Sequence, residues 1–237
     1  YTHTVFRGWY DFGAGAMADM GHYSLWPVFI ALDLDAPVSA EAFGNYAFKI
    51  DDCVSTKIIN DYSYPLSSTL HFKFAAKPGV RPEIDLFWYD GGMRPTVITE
   101  LDEDNEPIPE EGMLFVGDKG KIITTFRPSY SAARIIPKRR MNAFSGSKPT
   151  SDKDAQTQSQ GSSALNEWIT ACKSSEFNPA AAGNFLLAEA IAETMALGTV
   201  ALRAGRKIFY DSKKMEITNY PEANKYLTRQ YRQGWEI

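Results

Sequence analysis

The chain has 237 residues, 44% of them hydrophobic, so it can bury a sizeable core in one large domain. Its formal net charge of −4 argues against a nucleic-acid-binding surface, because phosphate binding needs clustered lysine and arginine. No apolar run reaches the roughly 18 residues of a membrane span, and two cysteines without ligand spacing are too few for a disulfide framework or a zinc site. We therefore expect no nucleic acid, no membrane and no metal as partners.

The first candidate site is a glycine-rich loop that leads into an apolar helix. Residues 17 to about 32 are apolar on most faces, which predicts a buried helix, and Pro27 should kink or restart it. This helix carries three groups that can transfer protons, Asp19, His22 and Tyr23. Because residues three and four positions apart lie on the same side of a helix, these side chains can line one wall of a cleft.

The loop before this helix has two interpretations. Gly13 and Gly15 fit the G-x-G-x-x-A pattern of dinucleotide-binding loops, and Asp33 or Asp35 follows about 20 residues later. That pattern also requires a buried apolar strand directly before the first glycine, and residues 7–12 do not have the composition of one. A glycine-rich loop that caps a core helix explains the same residues, so a cofactor-binding role and a structural role both stay open.

The middle of the chain has the two-residue periodicity of strands. Apolar and polar residues alternate within four segments, which are 38–48, 56–62, 69–74 and 83–89. Two further segments, 113–116 and 121–126, flank a turn with two glycines, which predicts a hairpin. Several strands in succession predict an antiparallel sheet.

The last third of the chain predicts two helices after a polar segment. Residues 145–163 contain almost no apolar side chain, so we expect a mobile loop there. Helical spacing within 165–172 predicts one helix, with Ser163 as its cap. A second helix is predicted over 184–204, ended by Gly205 and followed by a short strand.

The order of these elements, a helix, then strands, then helices, predicts an α+β fold. We expect one domain over residues 1–237, built on a large open and mainly antiparallel sheet with helices packed on one face. Two charged segments are expected to be solvated. The acidic residues within 100–111 lack the regular ligand spacing of a cation site, and the basic residues 138–140 are predicted to form a solvated edge.

Residues 8–23, Gly-Trp-Tyr-Asp-Phe-Gly-Ala-Gly-Ala-Met-Ala-Asp-Met-Gly-His-Tyr, resemble the segment that opens the C-terminal domain of the Gfo/Idh/MocA oxidoreductases. Four further stretches resemble that domain in the same order, namely 88–95, 114–121, 166–172 and 218–235. The resemblance implies a substrate-binding and oligomerisation domain of an NAD(P)-dependent oxidoreductase that acts on a sugar or polyol hydroxyl. It also implies that subunits pair through the open face of the sheet, which gives a homo-oligomer.

The same resemblance implies roles for the first helix. Asp19, Gly21 and Tyr23 match the family pattern D-x-G-x-Y, in the branch similar to glucose-fructose oxidoreductase and dihydrodiol dehydrogenase. Tyr23 then exchanges a proton with the substrate hydroxyl, and Asp19 orients Tyr23 or binds a neighbouring hydroxyl. His22 falls on a position that is not catalytic in the family, although helical geometry alone allows either residue.

The family's dinucleotide-binding (Rossmann) domain and the lysine of its Glu-Lys-Pro motif have no counterpart among these 237 residues; the nearest string is Ala-Lys-Pro at 76–78. We therefore expect NAD or NADP only in an intact enzyme, with no dinucleotide bound tightly by this chain alone. The chain is then either a fragment, which its initial Tyr1 favours, or a natural protein that has lost catalysis. Its compartment, cytoplasmic or periplasmic, stays open.

Two groups of residues are candidate substrate contacts. Arg7, Trp9 and Tyr10 flank the glycine-rich loop, and Asp90 and Arg94 lie in a turn with several aromatic residues. A structural turn explains the second group nearly as well. Two alternative functions stay open: a lyase or hydrolase that acts on glycosides through transient oxidation, and a non-catalytic carbohydrate-binding or assembly module.

Overall fold

The computed structural model describes residues 3–125, 133–144, 164–174 and 185–236. Contacts divide the chain into two compact units, one of Tyr1–Arg94 with Leu187–Ile237 and one of Pro95–Leu186. The expected single domain over 1–237 stays a prediction. The segment 145–163, with the cap predicted at Ser163, lies outside the described residues.

The described residues combine helices with antiparallel sheets, which confirms the α+β class. The helices are α1 (Gly15–Leu32), α2 (Thr99–Glu103), α3 (Lys138–Ala143), α4 (Ala164–Lys173) and α5 (Phe185–Ala204). The strands are β1 (Ser39–Gly44), β2 (Phe48–Asp51), β3 (Val54–Lys57), β4 (Ser68–Phe74), β5 (Ile84–Tyr89), β6 (Gly112–Gly117), β7 (Gly120–Thr125), β8 (Arg134–Ile136), β9 (Ile208–Asp211) and β10 (Glu216–Ile217). Two 3-10 helices, His3–Gly8 and Pro221–Tyr226, lie near the ends.

A five-stranded sheet forms the centre of the first unit. Its order is β10-β9-β1-β4-β5, and every neighbouring pair is antiparallel. Side chains on β4 alternate between buried and half-buried, so Leu70, Phe72 and Phe74 lie on one face of the sheet and Thr69 and His71 on the other. This alternation is the pattern from which the strand was predicted.

Helices α1 and α5 pack on the buried face of this sheet. The core cluster joins Leu70 and Phe72 with Phe29 of α1 and Leu197 of α5. A Cβ on Gly198 would lie 2.7 Å from Leu70 Cδ2 and 2.8 Å from Phe72 Cζ. Glycine at this position therefore lets α5 approach the sheet closely.

Helix α1 runs without interruption through Pro27, so of the two predicted outcomes the restart does not occur, and the kink stays a prediction. Buried side chains on both sides of the proline, at Leu25 and Phe29, hold the two halves of the helix against one core. Their packing outweighs the one hydrogen bond that proline cannot make. The helix ends at Asp33, which is left-handed with φ of 48°.

The other face of the sheet is exposed and mixes aromatic with charged side chains. Phe43 on β1 is 65% exposed and Phe87 on β5 is 53% exposed. The His71 ring stacks on Phe87 with centroids 4.4 Å apart, and its Nε2 lies 2.7 Å from an oxygen of Asp85. We call this surface, formed by the outward side chains of β1, β4, β5 and β9, the open face.

Strands β2 and β3 form a separate hairpin in which every residue is exposed. The strand predicted over 56–62 is observed only for residues 56 and 57, because β3 ends at Lys57, so the prediction is wrong for 58–62. The reason is local, because the Asn60 side chain accepts hydrogen bonds from the backbone N–H groups of Tyr62 and Ser63 and turns the chain.

The second unit contains a three-stranded sheet in the order β6-β7-β8. The predicted hairpin is confirmed as β6 and β7, which pair from Gly112↔Thr125 to Gly117↔Gly120. Ile98, Leu101, Ile123 and Ile136 form its buried cluster.

The two helices predicted in the last third of the chain are both observed. The predicted helix within 165–172 is confirmed as α4, and that predicted over 184–204 is confirmed as α5.

The two charged segments of this unit pair with each other, and most of their charged side chains stay exposed, as predicted for solvated segments. Glu106 pairs with Arg134 and, at 2.5 Å, with Lys138, and Arg139 Nε donates to Glu103 at 3.1 Å. Helix α2 overlaps the start of the acidic segment, and α3 begins with the basic residues. Opposite charges that the sequence separates by about 30 positions thus neutralise each other in the fold.

Across the described ranges, none of the helices combines the length and apolar character needed to cross a membrane.

Candidate functional site

The glycine-rich loop is anchored to the segment that follows β3. Tyr64 N–H donates to the carbonyl of Gly8 at 2.9 Å, and Tyr10 N–H donates to the carbonyl of Tyr62 at 3.0 Å. The loop therefore forms a short antiparallel pairing, and Trp9 forms an isolated bridge with Ser63. This backbone pairing fixes the position of the aromatic residues just before α1.

Close packing within the chain explains why both positions predicted to bind a cofactor are glycines. A Cβ on Gly13 would lie 2.5 Å from the Cα of Arg7. Gly15 has φ of +75°, and a Cβ there would lie 2.9 Å from Cγ of Tyr64. The residues before them form the 3-10 helix His3–Gly8 rather than a strand. A cofactor contact at Gly13 and Gly15 stays a prediction.

Asp33 and Asp35 were considered as contacts for the ribose of a nucleotide. In the structure both lie close to basic side chains of the same chain. Asp33 binds Lys77 Nζ at 2.5 Å, and Asp35 lies 3.8 Å from the same nitrogen. Arg81 donates to the backbone carbonyl of Asp33 at 3.1 Å. Lys77 belongs to the Ala-Lys-Pro string at 76–78. In the structure this lysine pairs with Asp33, the residue that caps the C-terminal end of α1.

The three candidate proton-transfer groups lie on α1 as predicted from their spacing. Asp19 is half-buried, and its carboxylate accepts a hydrogen bond from Arg7 Nη1 at 2.8 Å. Tyr23, one turn further along, is 44% exposed. The ring of His22 lies 3.9 Å from the ring of Tyr23 between centroids. The contact between Arg7 and Asp19 joins a predicted substrate residue to a predicted catalytic residue.

These three side chains lie away from the core side of α1. The buried positions of the helix recur every four residues at Met17, Gly21, Leu25 and Phe29. Asp19 and Tyr23 are separated by one turn and therefore share one face of the helix. Both can contact a ligand without disturbing the core, which is the arrangement that a binding surface requires.

The aromatic residues of the loop form ring contacts on either side. Trp9 stacks on Tyr62 with centroids 5.5 Å apart, and Tyr10 meets Tyr64 edge-on at 4.6 Å. Burial raises the pKa of Tyr10, and the positive charge of Arg203 acts in the opposite direction. Tyr10 therefore stays neutral at physiological pH and can donate a hydrogen bond.

Arg203 is a functional candidate that the sequence did not reveal. Its guanidinium carbon lies 4.5 Å from the Tyr10 ring centroid and 4.2 Å from the Tyr226 centroid. These residues are separated by up to about 200 positions, so no local pattern connects them. The sequence analysis assigned the end of α5 from Gly205 and gave no role to the arginine two positions before it.

The carboxylate of Asp90 forms hydrogen bonds within the fold. Its carboxylate accepts hydrogen bonds from the Ser68 N–H at 2.7 Å, the Ser68 hydroxyl at 2.7 Å and Trp88 Nε1 at 2.8 Å. These bonds fix the end of β5 against the start of β4. Arg94 is exposed in the following turn. Substrate binding by Asp90 and Arg94 stays a prediction.

In the described parts of the chain, no three His, Cys, Asp or Glu side chains are grouped so that they could hold a metal ion. Comparison with known proteins finds no matching family model and no matching curated protein. The function is therefore proposed from the residues and their geometry.

Proposed function

We propose that this chain is the substrate-binding and oligomerisation domain of an NAD(P)-dependent oxidoreductase of the Gfo/Idh/MocA type, acting on a sugar or polyol hydroxyl. The observation that carries the proposal is the shared helix face of Asp19 and Tyr23, with Asp19 held by Arg7 at 2.8 Å. Trp9 and Tyr10, which follow Arg7 in the chain, supply aromatic surface that suits the apolar face of a sugar ring.

Oxidation of an alcohol requires that a base removes the hydroxyl proton as hydride leaves the same carbon. Tyr23 is the proposed base, and in the reverse direction it returns the proton to the carbonyl oxygen. Asp19 is the proposed orienting group, and its contact with Arg7 restricts its rotamers. NAD or NADP, when bound, supplies the hydride acceptor.

The bound cofactor is assigned to a nucleotide-binding domain outside this chain. The loop glycines support this assignment, because the space above Gly13 and Gly15 is filled by Arg7 and Tyr64. We expect the chain alone to show no micromolar binding of NAD or NADP by calorimetry. Micromolar binding would reassign the glycine-rich loop to the cofactor.

Substitutions on α1 in the full-length enzyme test the proposed roles. Tyr23→Phe should lower kcat by about 10² to 10⁴, the usual contribution of a positioned acid or base, with a smaller effect on KM. Asp19→Asn should have an intermediate effect, since an amide keeps the shape but loses the charge. The measurement is NAD(P)H absorbance with a panel of sugars and polyols.

His22→Ala is the matched control, because His22 is exposed on the same helix and contacts the Tyr23 ring. It should retain most of the activity. An inactive His22→Ala together with an active Tyr23→Phe would transfer the proton role to the histidine and refute the proposed alignment with the D-x-G-x-Y branch.

A further inference from the structure

Three separate segments bring aromatic and basic side chains together around Arg203. Tyr10 comes from the loop before α1, Arg203 from the last turn of α5, and Tyr226 from the end of the 3-10 helix Pro221–Tyr226. The guanidinium carbon lies 4.5 Å and 4.2 Å from the two ring centroids. All three residues are half-buried. We call them, with Lys225, the arginine–tyrosine cluster.

Among the described residues, Arg203 contacts the faces of aromatic rings, and these contacts do not use its N–H donors. A guanidinium carries five N–H donors, which lie in its plane, whereas cation–π contacts use its faces. Within the described residues, no carboxylate or carbonyl accepts a hydrogen bond from Arg203. Other arginines of the chain do donate to such acceptors, namely Arg7, Arg81, Arg134, Arg139 and Arg140.

A second cation reinforces the positive charge at this place. Lys225 Nζ lies 5.0 Å from the Tyr226 ring centroid, so one ring is flanked by two cationic groups. Burial raises the pKa of Tyr10 and of Tyr64, which keeps both phenols neutral donors. Among the described residues, Asp61 is a carboxylate whose charge raises the pKa of Tyr10, and its side chain is exposed.

We propose that the arginine–tyrosine cluster binds the anionic group of an acidic sugar, a carboxylate or a phosphate, through Arg203. A planar fork of N–H donors suits either group, because both offer two oxygens side by side. Tyr10 belongs to the same loop as Arg7 and Trp9, so the anion site adjoins the predicted substrate residues. The sugar in this assignment rests on the proposed function, whereas the anion rests on the cluster alone.

Calorimetric titration of the 237-residue chain tests the anion site directly. The probes are D-glucuronate, D-glucose 6-phosphate and neutral D-glucose. We expect at least one of the two anionic probes to bind about 10 to 100 times more tightly than D-glucose, the range expected for hydrogen bonds to a charged group. Which anionic probe binds better distinguishes a carboxylate from a phosphate site. Equal affinity for all three probes would overturn the proposal.

Two arginine substitutions, each to glutamine, form a matched pair. Arg203→Gln should abolish the preference for the anionic probe. Arg206→Gln should not change it, because Arg206 also stacks on a tyrosine, Tyr220 at 4.7 Å, but is exposed and lies outside the cluster. An unchanged preference in Arg203→Gln, or its loss only in Arg206→Gln, would refute the assignment of the site to Arg203.

Arg203 also joins three segments, so its removal could weaken folding. Arg203→Lys keeps a cation at the same place but lacks the planar fork. If Arg203→Gln does not fold, by circular dichroism, then Arg203→Lys carries the test. A folded Arg203→Lys chain should bind the anionic probe about 10 times more weakly. Wild-type affinity in that variant would contradict bidentate binding.

The two proposals can fail separately. Anion binding that depends on Arg203, in a full-length protein that oxidises no sugar, would keep this inference and refute the proposed function. Oxidation that depends on Tyr23, with no preference for acidic over neutral sugars, would keep the proposed function and refute this inference.

Discussion

At the scale of single residues, glycine is required at position 15 by Tyr64, which lies about 50 positions away in the chain. The φ of +75° at Gly15 is one that residues with a Cβ seldom adopt, and the Tyr64 ring occupies the place of that Cβ. Tyr64 in turn meets Tyr10 edge-on. The identity of one glycine therefore affects the position of an aromatic residue predicted to contact substrate.

Gly15→Ala should lower the free energy of unfolding by about 1 to 3 kcal/mol, the usual cost of a strained backbone residue. Gly8→Ala is the control, since a Cβ there would meet no atom within 4 Å. It should change stability by less than about 0.5 kcal/mol. Urea unfolding followed by tryptophan fluorescence measures both. Equal stability of the two variants would contradict the close packing at Gly15.

Tyr210 is a second residue whose state depends on the fold. Its hydroxyl donates to Glu193 Oε1 at 2.6 Å, and burial followed by the Glu193 contact raises the pKa of the phenol well above 10. A raised pKa means that the folded state holds the proton more tightly than the unfolded chain. The resulting stability is fully present below about pH 10 and is lost as the pH rises above it.

Tyr210→Phe should therefore flatten the loss of stability between about pH 10 and 12, where each such tyrosine contributes a slope of up to about 1.4 kcal/mol per pH unit. Tyr231→Phe, at an exposed position, should leave the slope unchanged. Urea unfolding at a series of alkaline pH values provides the measurement. If the free energy of unfolding falls with pH equally steeply in the wild type and in Tyr210→Phe, then the Tyr210 phenol does not contribute to the loss of stability at alkaline pH.

At the scale of elements, the second unit depends on charge pairing between segments. Glu100 binds Lys121 on β7 at 2.6 Å, and Glu106 binds Arg134 on β8 and Lys138 on α3. Hydrogen bonds from these lysines lower the pKa of Glu100 and of Glu106. The pairs thus connect the acidic segment to the three-stranded sheet.

A lowered carboxyl pKa gives stability that is present above about pH 4.5 and is lost as the pH falls through the folded-state value. We expect amide hydrogen exchange in β7 and β8 to accelerate as the pH is lowered in this range, after correction for intrinsic exchange. Glu106→Gln should show the faster exchange already at pH 7.

Glu110→Gln is the matched control, because among the described residues Glu110 has no ion pair and is exposed. It should exchange like the wild type at both pH values. Exchange that does not respond to Glu106→Gln would show that apolar packing of the sheet alone holds these strands.

At the scale of the whole molecule, the open face is the feature that most needs an explanation. It presents Phe43, Phe87 and Phe209 to water beside charges of both signs, the ion pair of Lys73 with Glu83 and the carboxylate of Asp85. A surface with both signs of charge can match a copy of itself across a two-fold axis. Its aromatic residues favour burial in an interface.

We expect the chain to self-associate at micromolar concentration through this face. The double substitution Phe43→Lys with Phe87→Lys should shift the sedimentation coefficient to that of a monomer, since it places like charges in the interface. Ile59→Lys, 81% exposed in the loop after the β2–β3 hairpin, is the control and should still associate. A wild-type chain that sediments as a monomer would remove the open face as a subunit interface.

The sequence by itself determined the elements with strong local periodicity. Strands β4 and β5, the β6–β7 hairpin and helices α4 and α5 were predicted because alternation, turn glycines and helical spacing are properties of neighbouring residues. The same applies to Asp19 and Tyr23, whose four-residue spacing puts them on one helix face. The α+β class followed from the order of these elements.

Only the tertiary structure decided which distant residues meet. The acidic and basic segments of the second unit neutralise each other, Arg7 binds Asp19, and Arg203 lies between Tyr10 and Tyr226. Local sequence carries no signal for such contacts, because they depend on the path of the backbone between the two residues. Helix α1 likewise continues through Pro27, because core packing on both sides of the proline outweighs its local helix-breaking preference.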